Sequence, residues 1–430
     1  MSFTDFNFAP SIHEALEVMG FEEATPIQQQ AIPKILEHKD LIACAQTGTG
    51  KTAAFLLPIL NKLALKPDRP NRINTLVIAP TRELALQIDQ QVEGFGYFVG
   101  VSSLPVYGGG NSNSWDQQKK ALTKGADIII ATPGRFIAHL NMGYVNLDHI
   151  QHLVLDEADR MLDMGFYDDI MTIVNKLPRK RQTLLFSATM PPKIRTLSKT
   201  ILHKPDQISL AISKPADGVL QAAYLTYDNQ KIPLIKYLLN GKTNYPSIII
   251  FSSTKKMVRE ITQALRRTKF TVESISSDLE QKERETALLK FKSKQTQIVV
   301  ATDILARGID IKDISLVINY DVPQDAEDYV HRIGRTARAA TTGVALTFIN
   351  PKDQNRFKGI EDLIEMEVQK VPLPPELGEG PTYNPNARRS SHRRGHGPHK
   401  KGRGSKRKGG GGGYWKNKKK SNNKGFKKQK

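Results

Sequence analysis

Short runs of Ile, Leu and Val recur along the chain, and most are followed by a stretch with helical spacing. Up to about residue 211 the runs fall at 40–45, 75–79, 127–131, 152–155 and 183–186. Apolar residues at consecutive positions, rather than alternating ones, predict strands buried on both faces, and strands alternating with helices predict a parallel α/β sheet. A polar break at 213–218 separates a second series at 222–227, 247–251, 272–275, 297–302, 316–320 and 344–348. The pattern predicts two similar α/β lobes joined by a short linker, with ligands at the carboxyl ends of the strands.

Beyond about residue 372 the chain turns to Pro, Gly, Lys and Arg, with five successive glycines at 409–413. Such a segment buries too little apolar area to offset its ordering entropy, so disorder is expected from about residue 374. Charge sharpens this division. The whole chain of 430 residues has 63 basic and 43 acidic side chains, a net of +20, and residues 388–430 hold 18 of the basic ones and none of the acidic. A nearly neutral body with a cationic tail points to a polyanion partner handled largely by the appendage. Tyr414, Trp415 and Phe426 among the tail's lysines and glycines suit stacking on single-stranded nucleic acid, although a purely solubilising tail would have the same charge. The single cysteine, Cys44, excludes an internal disulfide, and no stretch has the length of a membrane span. A soluble, cytoplasmic protein is expected.

Residues 45–52 read AQTGTGKT, directly after one apolar run and before the apolar helical stretch 53–60. Small residues at Gly48 and Gly50 let the backbone of Gln46, Thr47, Gly48, Thr49 and Gly50 curl so that its N–H groups converge on a phosphate, and the helix that follows adds its positive end. Lys51 is placed to reach the outer phosphates, and Thr52 offers a hydroxyl to Mg²⁺. Ala45 stands where the general pattern has Gly. About 100 residues later the apolar strand 152–155 leads into Asp156-Glu157-Ala158-Asp159. A carboxylate at a strand end suits a nucleotide-bound Mg²⁺, and Glu157 beside it suits orientation or deprotonation of an attacking water.

With these residues in place the chain resembles the DEAD-box RNA helicases of superfamily 2, and among them the bacterial RhlE-like branch. The resemblance runs from about Phe3 to Asn350, with motifs in family order: Phe21 and Thr25-Pro26-Ile27-Gln28; AQTGTGKT; Pro80-Thr81-Arg82-Glu83-Leu84-Ala85; Gly108-Gly109; Thr132-Pro133-Gly134-Arg135; DEAD; Ser187-Ala188-Thr189. The second lobe continues with Ile250-Phe251-Ser252-Ser253, Ala301-Thr302-Asp303, Arg307-Gly308-Ile309-Asp310, and His331 through Arg338. The resemblance implies two tandem RecA-like parallel-sheet domains plus a disordered basic tail. Their expected bounds are 1–212 for the ATP-binding domain (Q motif 1–29), 213–218 for the linker, 219–372 for the C-terminal helicase domain and 373–430 for the tail.

It also implies roles. Phe21, Thr25 and Gln28 would select adenine; a Gln amide can pair with N6 and N7 of that base, although Thr25 and Gln28 also satisfy a helix capping box. Lys51, Glu157, Arg335 and Arg338 would be catalytic, the two arginines reaching the γ-phosphate from the second lobe. Thr52 and Asp156 would hold Mg²⁺, and Asp310 the ribose. Asp159, Ser187, Thr189 and His331 would couple hydrolysis to lobe closure. Pro80, Thr81, Arg82, Gly109, Thr132, Gly134 and Arg135 of the first lobe, with Thr302 and Arg284 of the second, would grip RNA phosphates and sugars. Such contacts position a strand without reading its sequence.

The chain departs from the family at Ala337, where Gly is common, and in the loose segment 276–281. ATP, Mg²⁺ and RNA are thus the expected ligands of a monomer that separates short duplexes, with ribosome-assembly or RNA-decay proteins as partners. Two rival readings use the same residues: an RNA chaperone or clamp whose tail anneals strands, and a DNA-translocating ATPase of the same superfamily.

Overall fold

The computed structural model describes residues 1–46, 48–66, 72–109, 112–210, 219–240, 245–276, 278–302, 314–336 and 343–386, and a compact body spans Met1–Asn386. Thr47, the linker 213–218, Asp310, Arg338 and the basic tail from residue 387 lie outside the described residues.

The first lobe is built on β1 (Leu41–Cys44), β2 (Thr75–Ile78), β3 (Ser103–Val106), β4 (Ile128–Ala131), β5 (His152–Leu155), β6 (Gln182–Ser187) and β7 (Asp206–Ser209), arranged β3-β4-β2-β5-β6-β1-β7. The second has β8 (Val219–Leu225), β9 (Ile248–Phe251), β10 (Val272–Ile275), β11 (Ile298–Ala301), β12 (Leu316–Asn319), β13 (Gly343–Ile349) and β14 (Gln369–Val371), arranged β10-β11-β9-β12-β13-β8-β14. All neighbouring strands of the two sheets pair in parallel, and adding seven to each strand number of the first sheet gives the second.

The apolar runs split between two cores because successive strand residues point to opposite faces. Leu41 and Ala43 join Val154 and Phe186 under the helix Lys51–Ala64, whereas Ile42 joins Leu153, Leu155 and Leu185 on the other face. The second sheet repeats this, with Ile248, Ile250 and Ile318 on one side and Ile249, Phe251 and Val317 on the other. No helix among the described residues is long and apolar enough to cross a membrane.

Three strands, β3, β7 and β14, have no counterpart in the expected series, and the body ends later than expected. Residues 373–386 belong to it rather than to the tail. Leu373 and Leu377 pack on the second lobe's core, and Gln230 Nε2 donates to the carbonyls of Leu377 (2.9 Å) and Glu379 (3.1 Å). Gln354 bonds Thr382 O (2.8 Å) and Asn384 N (2.6 Å), and the Tyr383 hydroxyl donates to Glu361 (2.9 Å). Two glutamine side chains thereby satisfy backbone groups that a Pro- and Gly-rich strap cannot pair with itself.

Candidate active site

The phosphate loop runs from the end of β1 into the helix Lys51–Ala64, the sharp turn being made by Gly48 (φ 85°) and Gly50 (φ 90°). A Cβ at Gly48 would meet nothing, whereas one at Gly50 would land on the Gln28 side chain. Lys51 is buried, and its ammonium donates to the Ala45 carbonyl at 2.6 Å. Gln28, 1 % exposed, ties the N-terminal segment to this loop: Oε1 accepts from Thr25 N (2.8 Å) and Nε2 donates to Gly50 O (3.1 Å). The Gln28 half of the capping box anticipated from the sequence is therefore made, and it leaves the amide one lone pair and one N–H for a base. Among the described residues, Thr25 Oγ1 is buried without a hydrogen-bond partner. Phe21 packs edge-on against Phe95 (5.1 Å) and Phe3 (6.1 Å), so both N-terminal rings have packing roles.

The acidic motif follows β5. Asp156 is 2 % exposed, its Oδ1 accepts from Glu157 N (2.9 Å), and burial pushes its carboxyl up to about 7 against the pull of the Lys51 ammonium. Glu157 is in the left-handed region (φ 50°, ψ 50°), uncommon for a residue with a long side chain and a mark of a site that accepts strain. Its carboxylate is held by Arg160 at 3.0 Å, a partner that the sequence reading missed although it stands three residues on, one helical turn away. Asp159 Oδ2 accepts from Ala188 N (3.1 Å), Thr189 N (3.0 Å) and Thr189 Oγ1 (3.1 Å), and Ser187 Oγ donates to Thr189 O (2.8 Å).

The second lobe completes the cleft. A cavity of about 580 Å³ is lined by Glu157, Asp159 and Thr189 from the first lobe and by His331 and Arg335 from the second. The helix Ala326–Ile333 carries His331, and Arg332 fixes that helix by bonding Asn319 Oδ1 (3.0 Å) and Asp321 O (2.9 Å).

Residues expected on RNA lie at strand ends and helix starts. Thr81 caps the helix Arg82–Gly96 by accepting from Leu84 N (3.3 Å), and Thr132 is the cap residue of the helix Pro133–Asn141. A Cβ at Gly134 would meet nothing within 4 Å, so the protein's own packing does not require that glycine. Gly109 has φ 86°, a backbone conformation that favours glycine. Thr302 follows β11. Two of the expected contacts face carboxylates of the opposite lobe: Arg82 is 2.6 Å from Glu285, and Arg284 is 3.4 Å from Glu83. Neither carboxylate was anticipated from the sequence, because each partner lies on the other lobe.

A profile of DEAD/DEAH box helicases matches residues 25–197, and one of the helicase conserved C-terminal domain matches 230–340. The ATP-dependent RNA helicase CshA of Listeria monocytogenes is 42% identical over 86% of this chain and 70% of its own. The DEAD-box ATP-dependent RNA helicase CshA of Geobacillus kaustophilus is 42% identical over 88% of this chain and 79% of its own. Among solved structures, S. cerevisiae Dbp5 bound to RNA and ADP BeF3 superposes with a TM-score of 0.76 at 30% identity, covering 86% of this chain and 95% of that one. With these two profiles matched and relatives 42% identical over most of both chains, the chain belongs to the DEAD-box family of ATP-dependent RNA helicases.

Proposed function

We propose that the protein hydrolyses ATP in an RNA-stimulated manner, closing its two lobes on a single RNA strand and so separating short duplexes locally or remodelling RNA–protein complexes. The observation that carries this is the shared cleft, where Arg335 and His331 of one lobe face Glu157 and Asp159 of the other. Gln28, Thr25 and Phe21 select the base, and the loop from Gln46 to Thr52 cradles the phosphates with Lys51. Asp156 and Thr52 are hard oxygen donors, and a buried carboxylate pushed up to about 7 favours a neighbouring cation, so the residues fit Mg²⁺. When bound there, Mg²⁺ would neutralise charge on the phosphate oxygens.

Glu157, steadied by Arg160, orients the water, and Arg335 stabilises charge on the γ-phosphoryl group in the transition state, joined by Arg338. Asp310 holds the ribose. Asp159 passes the state of the acidic motif to Thr189 and Ser187, and so to His331 across the cleft. Pro80, Thr81, Arg82, Gly109, Thr132, Gly134 and Arg135, with Thr302 and Arg284, hold RNA independently of its sequence. Because ATP and RNA both bridge the lobes, each strengthens binding of the other, and the coupling is reciprocal.

The RhlE-like branch expected from the motifs draws no support from the relatives compared, which carry the name CshA. The reading includes a cytoplasmic monomer, and the lone, buried Cys44 suits a reducing compartment. The basic tail tethers RNA; deleting residues 387–430 is expected to raise the RNA concentration needed for activity and flatten its salt dependence. The deciding experiment is ATP turnover with and without RNA for the parent, Lys51→Ala and Glu157→Gln. RNA stimulation of the parent and loss in both variants is the expected result; turnover persisting in Lys51→Ala would defeat the proposal.

A further inference from the structure

The helix Ser112–Lys124 packs beside the loops expected to grip RNA, and two of its side chains hold the arginine of one of them. Gln118 is 4 % exposed, its Oε1 accepts from Arg135 Nε (2.8 Å) and lies 3.0 Å from His139 Nε2, and its Nε2 donates to the Tyr107 carbonyl (3.2 Å). The last bond fixes which end of the amide is oxygen, because a carbonyl can only accept. It follows that His139 Nε2 carries a hydrogen and that its Nδ1 accepts from the Tyr144 hydroxyl. The imidazole is fully buried and stays neutral, burial and the neighbouring Arg135 holding it down to about 4.

Stacking adds a second restraint. The Arg135 guanidinium sits 4.2 Å from the centroid of Trp115, whose indole also stacks on His139 at 3.9 Å and 17°. One step back along the network, the ring of Tyr107 lies 4.4 Å from the guanidinium of Arg82. Both arginines retain unspent donors: among the described residues, Arg135 Nη2 and Arg82 Nε are buried and have no hydrogen-bond partner. A buried donor without an acceptor is costly, and such a cost suits a side chain held ready for an anion that arrives later.

We propose that Gln118, with Trp115 and Tyr107, is a positioning residue for RNA binding: it fixes the guanidinium groups of Arg135 and Arg82 before RNA arrives. Two flexible side chains would otherwise lose rotamer freedom on binding, and prior immobilisation removes that loss from the binding step. This inference rests on the reading that Arg135 and Arg82 contact RNA.

The test uses the full-length protein and a single-stranded oligouridine, with ATP turnover followed against RNA concentration and the melting temperature of each variant recorded. Gln118→Leu and Trp115→Leu are each expected to raise the RNA concentration for half-maximal stimulation about tenfold while turnover at saturating RNA is retained. Trp115→Phe keeps a ring under the guanidinium and is expected to stay near the parent. Gln118→Leu combined with Arg135→Ala is expected to be no weaker than Arg135→Ala alone. An Arg135→Ala variant impaired for RNA beside a Gln118→Leu variant that is not would overturn the proposal, as would multiplicative losses in the double variant. A fall in saturated turnover with unchanged half-saturation would also overturn it, because it marks a merely structural role. Should Gln118→Leu fail to fold, Trp115→Leu, at a half-buried position, carries the same comparison. An unimpaired Arg135→Ala has a separate signature: it removes the RNA contact itself, and the proposal with it.

Discussion

Arg284 on the second lobe lies 3.4 Å from Glu83 on the first, while the residues adjacent to each in sequence, Glu285 and Arg82, approach to 2.6 Å. Charge is thus exchanged across the cleft in both directions. The Arg284–Glu83 pair is well shielded, its side chains 15% and 17% exposed, so it is screened less than a surface pair. If this exchange supports the closed form, Arg284→Glu should lower RNA-stimulated turnover, by about fivefold for a coupling near 1 kcal/mol. Glu83→Arg should do the same, and the two changes together should recover most of the loss when turnover is measured at saturating RNA. Steady-state turnover of the three variants decides it; a double variant as poor as either single one would show that the pair contributes no coupling.

Gly50 occupies the turn under Gln28 with a positive φ of 90°. Gly50→Ala combines a strained backbone with a methyl group placed on the Gln28 amide. A loss of at least about tenfold in ATP affinity is expected, from a strain of about 1 kcal/mol or more plus the displaced side chain. Fluorescent-nucleotide titration measures this, and parent-like affinity would refute it.

Asp159 accepts three hydrogen bonds from Ala188 and Thr189 through one carboxylate oxygen. Asp159→Ala leaves those donors unmatched and cuts the link from the acidic motif to the segment lining the lobe cleft. Duplex separation should fall further than ATP turnover. The number of strands released per ATP hydrolysed is the quantity to compare, and an unchanged ratio would show that this link carries no coupling.

His152, at the start of β5, is buried with its Nδ1 3.1 Å from Gln182 Oε1. Burial, then the charge of Lys62, holds it down to about 3 from an ordinary value of 6.5. The unfolded chain therefore takes up a proton between those values and the folded chain does not. The histidine's contribution to stability is complete above pH 6.5 and is lost as pH falls toward 3, at about 1.4 kcal/mol per pH unit. His152→Gln should melt with a shallower dependence on pH between 6.5 and 4 than the parent; parallel curves would contradict this assignment.

Much of the architecture was legible in the order of residues. Fully buried strands such as β1, β4 and β9 announce themselves because helices cover both faces, which demands an apolar residue at every position. The strands that escaped are all at sheet edges: β3 is only partly buried and contains Pro105, β7 reads Asp-Gln-Ile-Ser, and β14 is three residues long. An edge strand pairs on one side and is half solvated, so its composition does not separate it from a loop. The strap 373–386 escaped for a related reason, since its anchors, Gln230 and Gln354, are glutamines on distant helices.

The local chemistry was also written in the chain. A glycine turn at Gly48 and Gly50, a carboxylate after a buried strand and a capping glutamine depend on neighbours within a few residues, and sequence spacing alone determines such geometry. What only the tertiary structure decided is which groups meet across long separations: Gln28 with Gly50, Arg284 with Glu83, and Gln118 with Arg135. These pairings follow from how helices and loops stack against the sheets, within a lobe or between the two. A side chain's partner across such a gap is set by the packing of everything between, which no local pattern encodes.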